Sequence, residues 1–115
     1  MSRPTSAVRL IRSAALTDTA PYAYAATTDA AARLVFTAGA CPLDEAGETV
    51  APGDIAAQAR QCVANLVTAL EAAGATLEDV AYTRVLVATT AREDLVAAWT
   101  VVHDVFGEHE AEPAT

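Results

Sequence analysis

Residues 54–74 spell out one whole helix, and the rest of the chain has to be arranged around it. Asp54 is a good N-cap, because its carboxylate can accept from an N–H that the first turn leaves unpaired. Ile55, Ala59, Cys62, Val63, Leu66 and Leu70 then fall on one face at helical spacing. Gly74 stands where the left-handed residue after a helix belongs. A short turn follows at residues 76–79. A second helix is expected behind a capping box formed by Thr90 and Glu93. It should bury Leu95, Trp99, Val102 and Phe106 and stop at Gly107.

The flanking segments read as strands. Residues 8–12 alternate apolar and charged side chains, as an edge or half-buried strand does. Residues 22–27 and 34–38 read as a hairpin turning near 28–30, and residues 81–89 are rich in β-branched side chains. Residues 42–53 hold two prolines and two glycines and form a loop. The order is strands, helix, strand, helix. Each helix has one apolar face, so both are expected on one side of one sheet. Residues 34–37 and 85–87 are too apolar to face water on either side. An oligomer that packs sheet faces together covers them most simply.

Composition excludes several function classes. The 115 residues make one domain, 1–115, with no internal repeat. Hydrophobic residues are 53% of the chain, but much of that is alanine. No run of about 18 apolar residues exists to span a membrane, and no apolar core follows Arg3, Arg9 and Arg12 to make a secretory signal. The expected location is the cytoplasm. The net charge of −8 repels phosphate backbones and argues against a nucleic-acid partner. All seven cations are arginines, so a Schiff-base lysine, a pyridoxal anchor and a phosphate-loop lysine are excluded. Cys41 and Cys62, with His103 and His109, have no metal-site spacing. No metal is expected. Structural thiols are the stronger reading for both cysteines, with Cys41 buried and inert, and a Cys–His catalytic pair through His103 the weaker one.

The ordered set Pro21-Tyr22, Val35-Phe36-Thr37-Ala38-Gly39-Ala40-Cys41-Pro42-Leu43-Asp44, Gly53-Asp54, Gln58-Ala59-Arg60-Gln61, Asn65-Leu66, Glu71-Ala72-Ala73-Gly74-Ala75 and Pro113-Ala114 resembles the reactive-intermediate deaminase family (Rid, YjgF-like). The resemblance covers nearly the whole chain. It implies a chorismate-mutase-like α+β fold, with a mixed sheet and two helices on one face. It also implies a homotrimer with sites in the clefts between subunits. Deaminase members hydrolyse imines and enamines to a keto acid and ammonia, and no cofactor is implied.

The family's site residues carry over one at a time. Its pocket tyrosine maps to Tyr22. The Thr-Ala-Gly turn places Ala38 and Gly39 at the ligand, where a missing side chain lets it approach the main chain. A pocket asparagine falls on Trp99. The arginine that clamps a substrate carboxylate falls on Thr115, which places the chain in an arginine-lacking branch. The water-orienting glutamate has no counterpart, so no catalytic residue is assigned. Relative to the family the chain is expected to be short at its C-terminus by a strand that completes sheet and site.

The expected ligand is a small reactive imine or enamine. The alternative is a binding module that keeps the cleft without hydrolysis. A ribonuclease reading is weaker, because no basic patch exists. Asp44, Glu45 and Glu48 could pair as acid and base, but a solvated turn is the stronger reading. Arg84 could replace the lost clamp, but an exposed or ion-paired strand arginine is the stronger reading.

Overall fold

The computed structural model describes residues 6–16 and 23–107. The first helix, α1 (Ile55–Ala72), forms as its sequence dictates. Asp54 keeps an extended backbone, and its Oδ1 accepts from the Ala57 N–H at 3.0 Å. At the other end the Ala75 N–H donates to the Leu70 carbonyl (2.8 Å) and the Gly74 N–H to that of Glu71 (3.0 Å). This six-to-one closure needs a left-handed residue, and Gly74 supplies it at φ +80°.

The second helix, α2 (Arg92–Gly107), spans the expected segment, but its cap and its buried stripe differ. No Thr90–Glu93 box forms. Instead the Thr89 Oγ1 accepts from the Ala91 N–H (3.0 Å) and donates to Asp94 Oδ2 (2.6 Å). The helix begins at Arg92, so the residue before it is Ala91, which has no side-chain acceptor, and Thr89 takes over the role from two positions back. The buried residues are Ala98, Val102 and Phe106. Leu95 stays 49% exposed and Trp99 is half-buried. The buried face of α2 is thus centred on Ala98, at 2% exposure, and Leu95 lies off it.

The core lies between the helices and a 3-10 turn, Leu77–Asp79. Val63 and Leu70 of α1, Leu77 of the turn, and Val102 and Phe106 of α2 form one buried cluster, with Leu66, Val67, Ala75, Val80 and Val105 packed against it. Each such side chain contributes about 1.5–3 kcal/mol on leaving water. The turn is fixed by the Thr76 N–H donating to Asp79 Oδ2 (2.9 Å).

The sheet corrects the sequence-based reading. Among the described residues it has two strands, β1 (Val8–Ile11) and β2 (Ala25–Thr28), antiparallel, with Val8 opposite Thr28 and Ile11 opposite Ala25. The Tyr24 N–H extends the ladder to the Ile11 carbonyl (2.9 Å). The second strand therefore pairs backward with residues 8–11, not forward with 34–38. Among the described residues, 34–38 and 81–89 join no ladder. Residues 32–41 and 82–89 run without turn or bend, yet among the described residues no main-chain hydrogen bond joins 33–40 or 81–86 to other main chain. Both have strand composition, but a strand exists only where a neighbour pairs with it. The result is a small α+β fold. No described helix is long and apolar enough to cross a membrane.

Candidate functional site

The candidate site begins where residues 34–40 run into the loop above α1. Asn65, half-buried on α1, holds that junction. Its Nδ2 donates to the carbonyls of Cys41 and Leu43, both at 2.9 Å, and its Oδ1 accepts from Gln61 Nε2 at 3.0 Å. The loop then closes on itself. Leu43 bridges to Thr49, and the Asp44 Oδ1 accepts from the N–H groups of Ala46 and Glu48, each at 2.9 Å. Asp44 is thus a turn-forming carboxylate, in keeping with the solvated-turn reading.

Upstream of this anchor Ala38 and Gly39 are exposed. A Cβ placed on Gly39 would meet nothing within 4 Å, so no described neighbour requires glycine there. Cys41 is exposed, which corrects the expectation of a buried thiol. Cys62, one turn before Asn65, is partly buried. Burial pushes its thiol pKa up, and the charge of nearby Cys41 adds to the rise.

Trp99 sits on α2, half-buried, with its ring stacked on His103 (centroids 5.8 Å apart, 14° between planes). The His103 Nδ1 is buried with no hydrogen-bond partner. Arg84 is exposed. Its Nη2 lies 3.5 Å from the Tyr82 Oη, and this hydrogen bond raises the guanidinium pKa further. Among the described residues no carboxylate pairs with it. Arg33 is engaged elsewhere, donating from Nη2 to the Ala73 carbonyl at the end of α1 (2.8 Å). That is a favourable place for a cation.

The chain also carries an open groove of about 610 Å³. Residues 34–37 form one wall and 80–83 the other, and Leu66, Leu70 and Ala75 lie along it. Ala38, Gly39 and Trp99 do not line it. Among the described residues, Ala38, Gly39 and Trp99 are therefore not gathered into one enclosed pocket. Tyr22, Thr115 and His109 lie outside the described residues. Among the described residues no three His, Cys, Asp or Glu side chains gather as metal ligands would.

Asn65 and Arg33 are the positions whose roles the sequence did not disclose. Asn65 had a local sign, an amide one turn after Gln61 on the same helical face. Arg33 had none, since its partner lies 40 residues away.

A family model described as endoribonuclease L-PSP matches residues 12–115. No curated protein and no solved structure matches the chain. The match takes in both helices, the anchored loop and the unpaired segments, and by it the chain belongs to the endoribonuclease L-PSP family, within the YjgF/Rid superfamily.

Proposed function

We propose that the protein is a cytoplasmic homotrimer that hydrolyses a small imine or enamine in the cleft between subunits. Water would add to the C=N carbon, the C–N bond would break, and ammonia would leave with the proton it needs, giving a carbonyl product. An enamine substrate would first take a proton on carbon to become the imine. The main chain at Ala38 and Gly39 would bind the substrate, Trp99 would supply an aromatic wall, and Tyr22 and Thr115 would complete the pocket. No residue is assigned as acid or base.

The observation that carries this reading is the exposure of Ala38 and Gly39 beside an uncovered apolar row. Phe36 is 89% exposed and Leu86 is 83% exposed. Six of the eleven exposed large hydrophobics lie in residues 34–36 and 82–86. A patch of that kind calls for a protein neighbour, and a neighbouring subunit laid there would roof the Ala38–Gly39 peptide.

Thr115 at the position of the family's carboxylate clamp favours a second reading, an arginine-lacking member that binds a ligand without turnover. The family description names a ribonuclease, but a net charge of −8 opposes RNA binding. The test is to generate 2-aminoacrylate or 2-iminobutanoate in place and follow ammonia and keto-acid release. Release above the buffer rate supports the hydrolase. Release at the buffer rate, with saturable binding of a stable imine analogue that Tyr22→Phe alters, supports the binding module. Cleavage of labelled single-stranded RNA would remove both.

A further inference from the structure

Gln58, Cys62 and Asn65 follow one another on α1 at spacings of four and three, so all three lie on one side of the helix. The outer two hold the loop above it. Gln58 Nε2 donates to the Val50 carbonyl at 3.1 Å, and Asn65 Nδ2 donates to the carbonyls of Cys41 and Leu43, both at 2.9 Å. The Val50 N–H closes that loop on the Pro42 carbonyl at 2.9 Å. Cys62 therefore stands between two clamps, beneath a loop that begins at Cys41. The charge of Cys41 contributes to the raised pKa of Cys62, so the two thiols lie within electrostatic reach of each other. Both are free, Cys41 exposed and Cys62 half-buried. The fold thus brings together the chain's two cysteines, which are far apart in sequence.

We propose that Cys41 and Cys62 form a reversible disulfide by exchange with a small-molecule disulfide, and that this bond fastens the segment carrying Ala38 and Gly39 to α1. A disulfide needs its two Cα atoms within about 7 Å, and Asn65, one turn from Cys62, already holds the Cys41 main chain beside the helix. Closing the bond then orders little that the fold has not ordered already.

The exchange runs in two steps with glutathione disulfide as oxidant. The exposed Cys41 thiolate attacks one glutathione sulfur. That S–S bond breaks, a mixed disulfide forms on Cys41, and one glutathione leaves as thiolate. Cys62 then gives up its proton and attacks the Cys41 sulfur, and the second glutathione leaves. The two cysteines lose two protons and two electrons, and the oxidant becomes two glutathiones. A disulfide with an exposed partner is the readily reduced kind, which suits a switch rather than a permanent staple. The bond does not depend on what Ala38 and Gly39 bind, and none of its readouts needs turnover.

The test uses the reduced 115-residue protein, equilibrated at pH 8 with glutathione disulfide and glutathione at a series of ratios. Trypsin cuts after Arg33, Arg60 and Arg84, so the two cysteines fall in separate peptides, 34–60 and 61–84. As the ratio rises, both thiols should be lost to iodoacetamide together and the intact mass should fall by two hydrogen atoms. The two peptides should appear joined, at a rate independent of protein concentration, and dithiothreitol should part them. Cys62→Ser should stop at a glutathione adduct on Cys41. Amide exchange across residues 39–43 should be slower in the oxidised protein than in the reduced one. The proposal is overturned by a glutathione adduct that persists on Cys41 of the unaltered protein, or by Cys41–Cys41 links between copies. It is overturned equally if the peptides join as readily in concentrated urea, where no fold brings the thiols together, or if exchange across 39–43 is unchanged by oxidation. If Cys62→Ser does not fold, the peptide map of the unaltered protein decides alone.

Discussion

Asn65 is the residue on which the candidate site depends most directly. One amide uses both its donors on the carbonyls of Cys41 and Leu43, and these fix where the segment carrying Ala38 and Gly39 meets the loop. Asn65→Ala removes both bonds while leaving α1 its helix propensity. A loss of about 1 kcal/mol in urea unfolding is expected, with faster amide exchange across residues 41–49. Asn65→Asp should not rescue it, because a carboxylate has no donor to offer. The cysteines make a second residue-scale case. Cys41 is exposed and Cys62 partly buried with a raised pKa, so iodoacetamide at pH 8 should label Cys41 first, as peptide mass mapping would read. Because the folded state holds the Cys62 proton more tightly than the unfolded state, the associated stability is complete below about pH 8.5. It is lost as pH rises through the folded value. The loss of stability at alkaline pH should thus be smaller when Cys62 is replaced by Ala, after the packing change is corrected at pH 6.

At the scale of elements, α1 shows what local chemistry can specify. Its cap, its apolar face and its terminal glycine all agree, and each can be tested alone. Asp54→Ala should cost about 1 kcal/mol through the lost bond to the Ala57 N–H. Gly74→Ala should cost a similar amount, because φ of +80° strains any side chain and the new Cβ would sit 3.6 Å from the Arg33 guanidinium. Thermal melts followed by circular dichroism would read both. Where signals disagreed or were not local, the sequence was a poorer guide. Leu95 and Trp99 are at least as apolar as Ala98, and no periodicity says that the alanine is the one to be buried. The pairing of β1 with β2 skips a connector of a dozen or so residues, so the nearer pairing of 22–27 with 34–38 looked simpler than the one that forms. Residues 34–38 and 81–89 do have strand patterning, but a ladder is a property of two segments. The site was legible only as a set of positions. Ala38 and Gly39 lie on the unpaired segment and Trp99 on α2, and nothing in a single chain's sequence says what encloses them.

For the whole molecule the telling fact is how little it buries. Seven hydrophobic residues are buried among those described, and the deepest, Leu77 and Ala98, keep 2% exposure. Phe106→Ala, at the centre of that core, should cost about 3–5 kcal/mol, enough to unfold so lightly packed a domain at room temperature. If subunits cover the apolar row, Phe36→Asp should convert the assembly to monomers by light scattering while leaving helical content intact. A native assembly that is already monomeric would remove the trimeric reading. Residues 82–89 have one further consequence. They read Tyr-Thr-Arg-Val-Leu-Val-Ala-Thr, with no proline and a single charge, Arg84, turned to solvent beside Tyr82. Such a stretch can stack on copies of itself into cross-β fibrils, and one cation repeated every 4.8 Å or so along a fibril is the chief electrostatic obstacle. Arg84 is then a gatekeeper against amyloid, and Arg84→Val should shorten the lag of thioflavin-positive fibril growth without altering the native fold.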